Sequence, residues 1–323
     1  MKRSVRWLVM GVVLAGIGWY VWHARKDLAI VTRFDVRYLV PMLLVPLASL
    51  WVNASIGRRL VRELGVKLTG FEAYALSTVN ALGNYLPLPQ AGAAARGVYL
   101  KSVHNLSYST YAASVVVTFV TSLALSGVLG LGGLGALFAI GRTAPWQLWV
   151  AFAGLAASMV MFTPPGARLP LPGRLAAFAE GLASLRRKHL LSWVVMMQAV
   201  LIAITATGMW LACRSLPGGH DVTWLTALML GLVMTVSAVV NVLGVEQAAA
   251  GVAAHLLNVD PKLGFLASAL FRVMAIVVVF VTGPVMAHWL SRRAGPVAKS
   301  EDVGAGGVAV AAAPESLLNG SAR

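Results

Sequence analysis

The chain has little of what a disulfide-braced fold or a soluble enzyme needs. It carries one cysteine, Cys213, so an intramolecular disulfide is excluded, and no Cys/His cluster suggests a structural metal. Acidic residues are scarce, 11 against 26 basic ones, giving a formal net charge of +15. All charged residues together make up 11% of the chain, while 59% is hydrophobic. That balance places it among polytopic membrane proteins. No Walker loop, dinucleotide fingerprint or Ser/His/Asp order occurs in a suitable strand–helix setting. Neither catalysis nor a cofactor is therefore expected. The basic excess lies between apolar runs, so it reads as orientation and attraction to anionic lipid headgroups, with no nucleic-acid partner. The six histidines (His23, His104, His189, His220, His255 and His288) fall near segment ends and read as interfacial or loop residues.

What the chain has in abundance is apolar length. A membrane span needs about 20 such residues at a rise of about 1.5 Å each. Six segments qualify, the first and fourth marginally: Trp7–Trp22, Tyr38–Ser55, Tyr108–Leu131, Trp146–Phe162, Leu191–Cys213 and Leu263–Trp289. The first follows Met1-Lys2-Arg3 and precedes His23-Ala24-Arg25-Lys26 with no A-x-A site, as in an uncleaved signal anchor. After Phe162 the chain is rich in Pro and Arg, and Leu175–Leu185 is expected to form a short interfacial helix. Residues 295–323 are rich in Ala, Gly and Ser and read as a disordered cytoplasmic tail, leaving 1–294 as the membrane domain.

Two further stretches begin as apolar helices and then break. Phe71–Asn105 passes through Asn80, Asn84, Pro87, Pro89 and Gln90 before resuming around Arg96. Val222–Asp260 breaks at Asn241 and Gly244 and resumes at Glu246. Broken backbone and charge have no partners in lipid, but they can line an internal cavity. We read both as re-entrant helical hairpins. Lys and Arg then gather on one side, with both termini cytoplasmic in an inner membrane. A faint duplication sets Ala94-Ala95-Arg96-Gly97-Val98 against Ala248-Ala249-Ala250-Gly251-Val252, and Ala113-Ser114 against Ala267-Ser268. The fold class is thus all-α, a bundle of about six spans plus two opposed hairpins. The hairpins belong to inverted repeats over about 38–131 and 191–289.

Four polar groups of the first break are substrate-binding candidates: Arg96, Asn80, Asn84 and Gln90. Arg96 offers a planar fork that can hold a phosphate between two donors. The amides can bind a headgroup or satisfy carbonyls freed by proline. Glu246 and Arg272 are assigned to an ion pair or a coupling role. Each is costly alone at membrane depth, and each is the other's natural partner. Local alternatives are helix capping for Glu246 and snorkelling to the interface for Arg96.

The stretch Leu86-Pro87-Leu88-Pro89-Gln90-Ala91-Gly92-Ala93-Ala94-Ala95-Arg96 resembles the Pro-rich, Gly-acidic-x-x-Arg region of the integral-membrane domain of lysylphosphatidylglycerol synthases. Leu243-Gly244-Val245-Glu246-Gln247-Ala248 is similar to that family's second, Gly-rich region, and Ala269-Leu270-Phe271-Arg272 to the arginine of its following span. The chain departs from the pattern at Ala93, at Asn241-Val242-Leu243 and at Val117-Thr118-Phe119. The resemblance implies movement or presentation of an anionic phospholipid or a polyprenyl-linked lipid between leaflets. A non-transporting membrane partner of an envelope-lipid or glycan biosynthesis enzyme is the alternative.

Overall fold

The computed structural model describes residues 34–85, 91–143, 145–158, 180–185, 187–237 and 245–293. The first expected span, Gln90 with its neighbouring prolines, the Asn241–Gly244 break, the first five residues of the expected interfacial helix and the expected tail lie outside them. The described residues form helices and no strand. In chain order the main ones are α1 (Leu39–Glu63), α2 (Gly70–Asn84), α3 (Ala91–His104), α4 (Tyr108–Ala139) and α5 (Trp146–Ala157). After these come α6 (Lys188–Arg214), α7 (Trp224–Ser237), α8 (Val245–Leu256) and α9 (Pro261–Arg293).

Helix length separates two kinds of element. With the short 3-10 turn before it, α1 is long and apolar enough to cross a membrane, as are α4, α6 and α9. The other five are too short. The 15 residues of α2 reach about 22 Å, less than the roughly 30 Å hydrocarbon core. The expected span Trp146–Phe162 is therefore not one described helix, since α5 ends at Ala157. The short helical segment 180–185 packs beside the start of α4, with Gly181 against Thr110 and Ala113.

Side-chain contacts identify which termini share an end of the bundle. At one end, Arg187 lies 3.6 Å from Glu63, and Arg293 lies 3.4 Å from Glu72. That end gathers Arg58, Arg59, Arg62, Lys67, Lys101, Arg187, Lys188, Arg292 and Arg293, and we call it the basic end. At the opposite end, the Asp35 amide donates to the Ser215 carbonyl at 3.1 Å. Arg37, Arg142, Arg214 and Lys262 belong there.

The two broken segments form hairpins that open at opposite ends. In the first, α2 leaves the basic end and α3 returns to it, so that Glu72 and His104 meet at 2.8 Å. Close backbone approach requires glycine near the tip: a side chain on Gly83 would strike Gly92, and one on Gly92 would strike the Asn80 carbonyl. In the second, α7 leaves the opposite end after Ser215, and α8 returns to pack Ala250 and Ala254 against Gly264 near the start of α9.

The repeat is clearer in the helix ends than in residue identities. Thr69 accepts a hydrogen bond from the Glu72 amide and caps α2; Thr223 does the same for the Thr226 amide at the start of α7. Thr223 follows Thr69 at the offset that separates Ala248 from Ala94. Past the end of α3 stands Asn105 at φ 54°, and past the end of α8 stands Asn258 at φ 56°. Each left-handed asparagine terminates its helix three residues before the next long one begins. Two units of long helix, hairpin and long helix are therefore present, α1–α4 and α6–α9, with inverted hairpins.

Candidate functional site

The tips of the two hairpins converge on one residue of α9. Arg272 lies about 16 Å along that helix from its first residue, well inside the apolar run. Its Nη1 is 2.8 Å from Oε2 of Glu246, in the first turn of α8 at the tip of the second hairpin. Its guanidinium carbon is 5.8 Å from the ring centroid of Tyr85, at the tip of the first. The side chains of Arg272 and Glu246 are 10% and 14% exposed, so neither charge is left to water. A guanidinium cannot shed its charge at membrane depth, and a neighbouring carboxylate offsets much of its desolvation cost.

The pair does not exhaust the arginine. Nη1 is spent on the carboxylate, whereas Nε has no hydrogen-bond partner among the described residues. One donor nitrogen, Nε, thus has no partner among the described residues beside a ring face. Such a centre can hold an incoming anion if Glu246 moves aside.

Packing of α2 along α9 holds the first tip in place. Phe71 meets Trp289 edge-on at 4.8 Å, Leu82 fills the space left by Gly283, and Tyr85 approaches Phe280 at 6.3 Å.

Arg96 stands apart from this centre, about 12 Å along α3 from the basic end. Its guanidinium occupies the place where Gly57 of α1 has no side chain, and it lies 5.9 Å from the Tyr111 ring centroid of α4. Its Nε is buried without a hydrogen-bond partner among the described residues. Arg96 is half-buried and carries no ion pair among those residues. Asn80 presents its backbone to Gly92, Asn84 is exposed near the end of α2, and Gln90 lies outside the described residues.

At the mouth of the first hairpin is a cluster that the sequence reading missed. Glu72 is 3% exposed although it is an acid at a helix start. Its Oε1 accepts from the Tyr99 hydroxyl at 2.8 Å and meets His104 Nε2 at 2.8 Å. Its Oε2 accepts from the Thr69 amide and from Arg293 Nη1, each at 3.4 Å. Burial pushes this carboxyl up, but the bonds from His104, Tyr99 and Thr69 outweigh it and hold the group below the usual carboxylate range. The cluster ties α2 and α3 to the end of α9. His104 is thus part of a part-buried network, a role that its reading as an interfacial or loop histidine did not include. The signal available was the capping box Thr69-x-x-Glu72, which marks a helix start and says nothing about a partner 32 positions away.

The comparison with curated proteins returns no match. The family model of the lysylphosphatidylglycerol synthase TM region matches residues 7–283. That range takes in both hairpins, Arg96, Glu246 and Arg272. With its apolar spans, opposed hairpins and this match over most of its length, the chain is a multi-pass membrane protein of the lysylphosphatidylglycerol synthase TM region family.

Proposed function

We propose that this protein moves a lipid headgroup between leaflets, and that Arg272 with Glu246 forms the central station of the path. One observation carries the reading: two half-length hairpins from opposite ends present their tips to the same buried arginine. That plan suits alternating exposure of a midplane site, because either hairpin can withdraw without dismantling a full span. The substrate class is an anionic phospholipid or a polyprenyl-linked lipid, whose phosphate would take the place of Glu246 on Arg272. Arg96, between the basic end and the centre, would receive the headgroup on its way in, with Asn80, Asn84 and Gln90 as further candidate contacts for it. No catalytic step is proposed, since a path of arginines and amides binds phosphate without activating a nucleophile.

The basic end faces the cytoplasm in this reading, in an inner membrane, because Lys and Arg concentrate on that side. Its basic groups would also be the docking face for an envelope-biosynthesis enzyme. A second reading, in which the protein only partners such an enzyme, draws support from the closeness of Glu246 and Tyr85 around Arg272. A sealed pair is what a purely architectural core would contain.

Reconstitution into vesicles separates the two. Fluorescent phosphatidylglycerol and phosphatidylcholine are placed in both leaflets, and dithionite removes the outer signal. The transport reading predicts complete quenching of the anionic lipid, slowed to the rate of empty vesicles by Arg272→Gln. Wild-type quenching that stops at the outer leaflet, for every headgroup tried, would reject it.

A further inference from the structure

The outer face of α1 carries a feature that the central path does not use. Leu44, Trp51, Ser55, Arg58 and Arg62 recur at helical spacing of three, four or seven along one stripe. Its middle is apolar and open to lipid, with Leu44 59% and Trp51 61% exposed. Towards the basic end the stripe turns polar and enters a cleft of about 280 Å³ between α1 and α6, lined by Ser55, Arg58, Arg59, Arg62 and Trp193. On α6 the stripe continues from Trp193 into exposed Met196 and Val200. Arg96 lies against Gly57, on a different side of α1.

The charges in the cleft are only partly committed. Arg58 spends its Nε on the Leu68 carbonyl at 3.0 Å, which leaves its terminal amines. Arg59 and Arg187 share one carboxylate, Glu63, each at 3.6 Å. The Arg59 Nε is buried with no hydrogen-bond partner among the described residues. Arg62 is exposed. Three guanidinium groups thus face a space too small for a whole lipid and of a size for a headgroup. An indole at the rim suits the water–hydrocarbon boundary, and the apolar stripe below suits an acyl chain.

We infer that this cleft is a second, peripheral site that holds the phosphodiester of an anionic phospholipid from the leaflet at the basic end, with its tail along α1 and α6. The inference rests on the lipid-handling reading only for the choice of a lipid over a free anion. It is independent of Arg272. Arginine forks fix a phosphate by direction as well as charge, whereas a diffuse basic surface attracts any anionic lipid without fixing it. Glu63 acts as the internal competitor that the headgroup displaces from Arg59.

Brominated lipids test this on the full chain in phosphatidylcholine vesicles. The fluorescence lost with Trp193→Phe isolates the signal from the cleft. Trp289→Phe isolates a control at the same end, beside Arg293 at 5.1 Å. Brominated phosphatidylglycerol is expected to quench the Trp193 signal several-fold more than brominated phosphatidylcholine does, and the Trp289 signal far less selectively. Arg59→Gln with Arg62→Gln should bring the Trp193 preference to parity. Ser55→Phe should do the same by filling the cleft with every arginine in place, and both variants should still elute as the wild type does. Excess inorganic phosphate, against chloride at equal ionic strength, should leave the preference intact. Its loss to phosphate would overturn the lipid in favour of a soluble anion. Equal preference at Trp193 and Trp289, or preference surviving Ser55→Phe, would overturn the site. Arg272→Gln should abolish translocation and keep the cleft preference. If wild-type protein moves no lipid yet keeps that preference, the transport reading falls and the peripheral site stands.

Discussion

The two hairpins share a plan and differ in where they keep their charge. Both begin at a threonine cap, both end at a left-handed asparagine, and both are too short to cross. In the alignment that sets Ala94 against Ala248, Glu246 stands opposite Gly92 and Arg272 opposite Thr118. The second repeat therefore has an acid and a base where the first has neither. Gly92 has no room for a side chain against Asn80, and the Thr118 carbonyl lies 3.5 Å from the amide of buried Gln198. The first repeat instead puts its arginine at Arg96, opposite Ala250, which is fully buried beside Gly264. Its acid, Glu72, is at the mouth of its hairpin. The scaffold is duplicated while the ionisable groups are not, so one centre is assembled from both halves at Arg272.

Removing the charge of the second tip should have the largest effect. Glu246→Ala strands a buried guanidinium, and a loss on the order of 3–5 kcal/mol is expected in denaturant titrations of the purified protein. A smaller loss is expected at the first hairpin from Gly57→Leu, which invades the seat of Arg96. It should cost about 1–3 kcal/mol and slow transport as Arg96→Ala does. If Gly57→Leu leaves transport intact while Arg96→Ala stops it, the guanidinium does not work from that seat.

The Glu72 cluster should come next. Glu72→Gln leaves Tyr99 and His104 without their anionic acceptor, at a cost of about 1–3 kcal/mol. Because its folded-state carboxyl lies below the usual range, Glu72 contributes stability above its unfolded pKa. That contribution is lost as pH falls through the lower folded value. Melting curves should show wild type losing more stability than Glu72→Gln on acidification, and parallel pH profiles would remove the cluster from the account. The caps should give the smallest and most even effects. Thr69→Ala and Thr223→Ala should each cost about 1 kcal/mol. A large inequality between them would mean that the two hairpins are not equivalent as scaffolds.

Much of this plan is legible in the sequence because it is written locally. Half-length apolar runs that end in Asn, Gly and Pro cannot cross, so Phe71–Asn105 and Val222–Asp260 read as hairpins. The joining of Arg272 to Glu246 follows from the cost of leaving either alone. What the sequence hides is long-range. Nothing near Arg96 points to the vacancy at Gly57. Nothing near His104 points to Glu72 on the facing helix, and a histidine at a helix end has an equally good reading as an interfacial residue. The Trp146 segment reads as a span because it is apolar, yet its described helix stops at Ala157. Tyr85, which brings the first tip to Arg272, carries no charge to mark it.

The meeting of the second tip with α9 is tested most directly by a double-mutant cycle on Glu246 and Arg272. Unfolding free energies are measured for wild type, Glu246→Ala, Arg272→Ala and the double variant. A direct buried pair predicts that the double variant is more stable than either single one, so that the coupling exceeds each single loss. Single effects that simply add would contradict it, and with it the convergence of the two hairpins on one arginine.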